Sequence, residues 1–336
     1  METPSISVII PTYNRCQMLG EALDSLLCQE TGGEFSYEIL VVDNASTDAT
    51  RNVVEQVAAR APVPVRYVYH DVPGDAPSRN RGIAETKRTW LAFFDDDQLA
   101  VPEWLRRLYD VARETEAAII AGAVRLDLPP DTRHRFGPYV RGTSFRETEE
   151  NSTVHSLTGK RLPGCANVLI ARRVFETLGT FDASMAWGGS DTEFFLRSRA
   201  AGETLYYAPR AVILHRISLN RLTPEYFRWD AQQGADTSAC LDCKFKGRFQ
   251  LVLLCLARIA QSLLVLLPGL AWAQLINDEA QVLDCKVRLW RNMGYVRRTL
   301  KLLAPRCFPQ RQYFNYLMFR KGRTIGQHAA QAGAAS

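Results

Sequence analysis

Short hydrophobic runs alternate with helical stretches through the first 125 residues, and two of the runs end on acids. Ile6–Ile10 reads as a buried strand that stops at Pro11, and Glu38–Val42 as a second that stops at Asp43. Val65–Tyr69 is a third, and Thr89–Phe94 a fourth, which leads straight into Asp95-Asp96-Asp97. Between them the pattern predicts helices over Gln17–Gln29, Ala49–Ala59 and Ser78–Glu85. Met18, Leu19, Ala22, Leu23, Leu26 and Leu27 form one apolar face of the first, and Ser46-Thr47-Asp48 offers caps to the second. A helix from Pro102 to about Glu114 and a strand at Ala117–Ala123 follow. Short connections between alternating strands and helices imply an α/β fold with a doubly wound, mostly parallel sheet.

In an open sheet of this kind, ligands bind beyond the carboxyl ends of the strands. Three carboxylate positions fall there: Asp43, Asp95–Asp97, and Asp191, which follows Trp187-Gly188-Gly189-Ser190 at a helix start. Each alone could be a turn or capping residue, and the Asp run a solvated acidic turn. Converging on one edge, they repel one another unless a cation joins them. Hard oxygen ligands suit Mg²⁺ or Mn²⁺, which keeps positions open for phosphates. No G-x-G-x-x-G follows the first strand, and no P-loop Gly-Lys-Ser/Thr occurs. A metal-bridged diphosphate therefore fits better than a dinucleotide or a cradled triphosphate.

Residues 127–160 are irregular and rich in Pro, Gly, Arg and Thr, a composition expected of a lid or acceptor loop. The pattern resumes with a strand at Val168–Ile170, helices at Arg172–Leu178 and Asp191–Ala201, and a strand at Ala211–His215. Beyond Ser218 the chain changes character. Phe249–Ala273 is strongly apolar but interrupted by Arg258, Gln261 and Pro268-Gly269. It reads first as a monotopic or interfacial segment, then as a membrane span, then as a soluble packing helix. Lys286–Arg323 holds eleven Lys and Arg and no acid, so the net charge of +5 divides into a basic arm and a weakly acidic body. The arm calls for an anionic surface, and without a nucleic-acid-binding fold or aromatic platform a membrane fits better than nucleic acid. Eight scattered cysteines, with an amino terminus that enters a strand at once, read as reduced thiols of a cytosolic protein; Cys240-Leu-Asp-Cys243 has no second pair at zinc spacing.

Ser7-Val-Ile-Ile-Pro-Thr-Tyr-Asn-Arg15, Val41-Val-Asp-Asn-Ala-Ser-Thr-Asp48, Ser78-Arg-Asn-Arg-Gly82, the acidic run, Gly188-Gly-Ser-Asp-Thr-Glu-Phe194 with Leu196-Arg197, and Pro209-Arg-Ala-Val-Ile-Leu-His215 resemble, in order and spacing, the family 2 glycosyltransferases of GT-A fold. The resemblance covers about residues 5–217. It implies a GT-A domain over 1–217; the apolar and basic region over 218–325 reads as a helical, membrane-associating extension, and the small Ala/Gln/Gly tail over 326–336 as disordered. The resemblance also implies an inverting transfer of a hexosyl or N-acetylhexosaminyl group from a nucleotide sugar, first of all a UDP-sugar, to a saccharide hydroxyl. The basic arm and the apolar segment suggest docking at the cytoplasmic membrane face, where the acceptor would be lipid-linked, in surface polysaccharide assembly. By the same resemblance, Asp191 would be the catalytic base, and Pro11, Tyr13, Asp43, Arg79, Asp95 and Asp96 would bind the nucleotide. Which of Asp95 and Asp96 points inward is left open. Asp97 and His215 would hold Mn²⁺ or Mg²⁺, His215 having the alternative of a hydrogen-bonded strand-end residue. Trp187 and Gly189 would meet the acceptor, with packing the alternative for Trp187. Ser190 departs from relatives that carry Glu before the aspartate. A non-catalytic nucleotide-sugar binder and a sugar nucleotidyltransferase are the alternatives. Pro11–Arg15 is not the triphosphate loop the latter needs, and the missing Gln-x-x-Arg-Trp motif disfavours a processive synthase.

Overall fold

The computed structural model describes residues 4–148, 153–159, 162–185 and 188–308. They form two compact units, interleaved along the chain. The first holds residues up to Asp127, then Glu147–Ala186 and Ser190–Arg216; the second holds Leu128–Arg146, Trp187–Gly189 and everything from Ile217.

The first unit is a sheet with helices on both faces. Its strands are β1 (Ser5–Thr12), β2 (Ser36–Asp43), β3 (Val65–Tyr69), β4 (Trp90–Phe94), β5 (Gln98–Ala100), β6 (Ile119–Asp127), β7 (His155–Ser156), β8 (Asn167–Ala171) and β9 (Leu205–Arg216). They lie in the order β3-β2-β1-β4-β8-β6-β9-β5, with β7 also on β9. β3, β2, β1 and β4 run parallel, as do β6 and β9. β8 opposes both β4 and β6, while β5 and β7 oppose β9. β1, β2, β3, β4, β6 and β9 therefore run one way and β5, β7 and β8 the other, the mostly parallel sheet that the alternation of elements implies. Strands buried on both faces need two layers of cover. Ile6, Val8 and Ile10 meet α1 (Cys16–Leu27) and α4 (Trp104–Thr115) on one face. Ile9, Leu40, Val42 and Phe93 meet α3 (Asp75–Glu85), α6 (Arg172–Leu178) and α7 (Ser190–Ala200) on the other. The helix α2 (Thr50–Arg60) packs beside α1 on the first face, through Val54 and Val57. Asp48 stands one residue before the N-cap position Ala49, yet its carboxylate serves the first N–H of two helices, accepting from Thr50 N at 3.1 Å and from Cys16 N at 3.0 Å.

Two features without a clear signature in the sequence position the carboxyl-end edge of the sheet. β5 is only three residues long, and it pairs Gln98 with His215 of β9. β9 itself starts at Leu205, six residues earlier than expected, because its pairing with β6 shifts between Gly122 and Ala123. The bulge accommodates Pro209, which has no N–H for a ladder. Asn167 fills it, donating to the carbonyls of Ala123 (2.9 Å) and Ala211 (3.0 Å) and accepting from Trp104 Nε1 (2.7 Å).

The second unit gives order to residues expected to be irregular. α5 (Pro138–Thr143) receives its N-terminal cap from Asp284, which accepts from Tyr139 N and Val140 N, each at 3.0 Å. Phe136 and Phe145 pack on Phe227. The rest is helical: α8 (Pro224–Gln261), broken at Gly247, a π-turn (Ser262–Leu266), α9 (Leu267–Leu275) and α10 (Glu279–Leu303), which packs along α8. The helical extension is present as expected. The stretch Pro224–Leu275 is long and apolar enough to cross a membrane by length and composition. The tail 326–336 and the basic arm beyond Phe308 lie outside the described residues.

Candidate active site

Parallel register brings the ends of β1, β2 and β4 to one edge of the first unit. Thr12 at the end of β1 pairs in register with Asp43 at the end of β2, and both are buried. The Asp43 carboxylate is held at both oxygens, accepting from Ser46 N (2.9 Å) on one and from Tyr67 Oη (2.7 Å) on the other. A carboxylate has about four acceptor positions, so each oxygen keeps capacity for a further donor. Pro11 and Tyr13 flank Thr12, both half-buried. Asn14 follows with φ 50° and ties this loop to the next: it donates from its N to Ser46 Oγ (2.9 Å) and accepts from Thr47 N (2.7 Å).

The acidic run divides its members among different partners. Asp96 turns toward β1, accepting from Thr12 Oγ1 (2.8 Å) and Arg15 Nη1 (2.7 Å). The same Arg15 nitrogen reaches Asp97 Oδ2 at 3.0 Å. Asp95 instead faces α3, 3.5 Å from Arg79 Nη2. Desolvation above all, opposed by Arg79 and reinforced by Asp97, Asp75 and Asp96, raises the Asp95 carboxyl to about 6. Carboxylates this crowded favour an added cation.

Arg79 is nearly buried, its Nε without a hydrogen-bond partner. Burial disfavours its charge, but Cys165, Asp95, Asp75 and Asp191 around it more than compensate, so its affinity for a proton is raised. Asp191 thus belongs to the same electrostatic neighbourhood as Asp95. It is half-buried in the first turn of α7 and accepts from Thr192 N at 2.7 Å. Its neighbour Ser190 is buried. His215 is buried with Nε2 3.6 Å from Asp97 Oδ2. The pairing of β5 with β9, together with Arg216 N donating to Asp97 O at 2.9 Å, fixes that approach.

Nine of the expected site residues therefore fall in the first unit: Pro11, Tyr13, Asp43, Arg79, Asp95, Asp96, Asp97, Asp191 and His215. Gly189 belongs to the second unit, with φ 85°, next to Gly188, where an added Cβ would stand 3.1 Å from Gln233 Nε2. Trp187 lies outside the described residues. No group of three or more metal-ligating side chains occurs among the described residues, so Asp97 and His215 would offer two ligands, not a closed cage. Thr12, Arg15 and Tyr67 had no role in the sequence reading. Arg15 closes the Ser7–Arg15 motif, but nothing local reveals that it reaches acids some 80 positions away.

The family model described as Glycosyl transferase family 2 matches residues 7–174. The succinoglycan biosynthesis protein ExoM of Rhizobium meliloti (strain 1021) is 30% identical over 222 residues, covering 66% of this chain and 69% of that protein. Glycosyltransferase AglE of Haloferax volcanii is 26% identical over 215 residues, 63% of this chain and 67% of that protein. The poly(ribitol-phosphate) beta-glucosyltransferase of Bacillus spizizenii is 35% identical over 123 residues, 36% of this chain and 19% of that protein. The crystal structure of S. aureus TarS superposes with a TM-score of 0.51 at 16% identity, covering 88% of this chain and 55% of that one, which is a likeness of fold. The matched stretch runs from β1 into α6 and takes in Asp43, Arg79 and the acidic run, and on that agreement the chain belongs to glycosyl transferase family 2.

Proposed function

We propose that this protein is an inverting, divalent-metal-dependent glycosyltransferase. It moves a hexosyl or N-acetylhexosaminyl group from a nucleotide sugar, in the first place a UDP-sugar, to a hydroxyl of a lipid-linked saccharide in surface polysaccharide assembly. It works at the inner, cytoplasmic face of the cell membrane, held there peripherally or monotopically by the second unit. The observation that carries the reading is the gathering of Asp43, Arg79, Asp95–Asp97 and His215 at one sheet edge, with Asp191 in the electrostatic surroundings of Arg79. The names of relatives in succinoglycan biosynthesis and in poly(ribitol-phosphate) glucosylation support the substrate class.

Pro11 and Tyr13 line the base, and Asp43 accepts its N3–H. That contact selects uracil or thymine over cytosine, whose N3 is itself an acceptor. Arg79 supplies an always-charged fork to the nucleotide phosphates, and Asp95 and Asp96 bound the ribose side. Asp97 and His215 would hold the metal. A carboxylate oxygen suits either ion, while the imidazole nitrogen favours Mn²⁺ over the harder Mg²⁺, and a two-ligand set leaves positions for phosphate oxygens and water. When bound, the ion neutralises charge that builds on the departing diphosphate. Asp191 takes the proton from the acceptor hydroxyl. The acceptor oxygen bonds to the anomeric carbon as the bond to the diphosphate oxygen breaks, its electron pair leaving with the diphosphate. A single displacement of this kind inverts the anomeric centre. Gly189 and Trp187 belong to the acceptor side.

A panel of nucleotide sugars with Mn²⁺, read first by thermal shift and then by transfer to saccharide acceptors, tests the assignment, since a specific ligand raises the melting temperature with its affinity. One donor should stabilise and be consumed. Stabilisation without turnover under every acceptor condition would make the protein a binding protein, and no stabilisation by any donor would overturn the reading.

A further inference from the structure

The second unit carries a surface that the transfer chemistry does not use. Gly247, at φ 80° and ψ 171°, breaks α8, and from Arg248 the chain continues through the π-turn and α9 to Leu275. One face of this stretch packs inward through Leu251, Cys255, Leu266 and Ala273. The opposite face exposes Phe249, Leu253, Leu256, Leu263, Leu264 and Leu275, three of them by more than 70% (Phe249 75%, Leu264 76%, Leu275 73%). Isolated exposed leucines are ordinary; a continuous face of them is not.

Between Arg248 and Asp278 the only charged residue is Arg258, and it is turned away from that face. Its guanidinium carbon lies 4.0 Å from the centre of the buried Tyr295 ring, and Nη1 donates to Asn292 Oδ1 at 3.2 Å. Tyr295 Oη in turn donates to Asp242 at 2.8 Å. The one cation that would interrupt the apolar face is thus held against α10. Where the stretch begins, Lys244, Lys246 and Arg248 are all exposed, and Trp272 is exposed near its other end.

We propose that this face lies in the plane of an anionic bilayer, immersed in one leaflet, with Lys244, Lys246 and Arg248 against lipid phosphates. This deepens the membrane reading above, on which it rests, by fixing the face and the depth. An amphipathic helix with one apolar side and cations at its margin has the chemistry of an interfacial helix. Spanning is disfavoured by α10, which packs along α8 and carries eight acidic or basic side chains in its 25 residues. Crossing would take those charges into hydrocarbon with it. A second copy of this chain fits less well, because it would bring the same three cations rather than a complement to them.

The test uses the full-length protein and vesicles of phosphatidylcholine with or without phosphatidylglycerol, in the absence of donor and acceptor, so it reads independently of transferase activity. The wild type should co-sediment with the anionic vesicles, and high salt should release only part of it. Leu256→Glu with Leu264→Glu should weaken binding at least tenfold at either salt concentration, with helix content unchanged by circular dichroism. Leu256→Ser with Leu264→Ser should weaken it in the same direction and covers the case in which the Glu pair fails to fold. Lys244→Glu, Lys246→Glu and Arg248→Glu together should abolish the preference for phosphatidylglycerol. An epitope appended after Ser336 should stay open to protease on the side of addition. Protection of the epitope would mean a span. Glu-pair variants that bind vesicles as the wild type does but dissociate an oligomer would mean that a second copy covers the face. Either result, or no vesicle binding at all, overturns the proposal.

Discussion

Arg15 supplies the positive charge that Asp96 and Asp97 need, with one nitrogen at 2.7 and 3.0 Å from the two carboxylates. Both acids are buried, and removing one partner of a buried ion pair leaves the other uncompensated. Arg15 keeps a quarter of its side chain open, so Arg15→Ala should cost only about 1–3 kcal/mol of stability. If the acids form a cation site, Mn²⁺ should raise the melting temperature of that variant more than that of the wild type. Equal responses in calorimetry would argue that Arg15 and metal do not share these carboxylates. Asp97→Asn should remove the Mn²⁺-dependent shift and transfer together while leaving the fold intact. Asp191→Asn should retain donor binding and lower turnover by about 10²- to 10⁴-fold, the usual contribution of a general base; unchanged turnover would reduce Asp191 to a residue that begins its helix. The acids themselves were legible in the sequence because they end strands. Their partners were not, since Arg15 meets Asp96, and Thr12 meets the same carboxylate, only through the register of β1 on β4. That Asp96 turns toward β1 and Asp95 toward Arg79 follows from the turn between β4 and β5, which composition does not encode.

At the scale of elements, close approach decides how accurately the side chains are delivered. Gly82 lets α3 settle on β1: a Cβ there would stand 2.5 Å from Ile9 Cγ2. Arg79, three residues earlier on the same helix, lies on nearly the same face. Gly82→Ala should therefore cost about 1–3 kcal/mol through overpacking and raise the KM for donor more than it lowers kcat. Denaturant unfolding and steady-state kinetics would read the two effects, and a variant of normal KM would show that α3 can shift without moving Arg79. Asn167 does the comparable task for β9. With its amide gone, Asn167→Ala leaves the Trp104 N–H and two strand carbonyls short of partners in the core, a loss of about 3 kcal/mol. The bulge then has nothing to fix the bend that leads to His215. The sequence shows most strands through their β-branched runs, but a three-residue β5 has too little pattern to register. Pro209 truncates any reading of β9, because a proline argues against a strand unless a bulge receives it; the bulge is a property of the pair β6–β9, not of either segment.

Over the whole molecule, the chain leaves its first unit twice and returns before leaving it for good, so a cut after Arg216 keeps Leu128–Arg146 with the first unit and parts it from the rest of the second. Alternating strands and helices made the first unit legible, and an apolar stretch beside a basic one marked the start of another region. That Leu128–Arg146 belongs to the second unit was invisible, because its order depends on residues far along the chain. Phe136 and Phe145 have 4% and 0% of their surface exposed, packed with Phe227 at ring separations of 5.9 and 5.7 Å. Asp284 caps α5 across about 145 residues of sequence. A protein ending at Ile217 would lose both supports. Each ring returned to water forfeits about 1.5–3 kcal/mol of burial, and the freed N–H groups of α5 lose a charge-assisted partner. We expect the truncated protein to bind a hydrophobic dye and to be cut by trypsin first between Leu128 and Arg146, whose arginines supply the sites. Asp284→Ala in the full-length chain should speed cleavage in the same segment to a smaller extent, because the aromatic contacts remain. If the truncated protein instead resists trypsin there as the full chain does, residues 128–146 hold their order without the helical region, and the pairing of Phe227 with Phe136 and Phe145 is incidental to it.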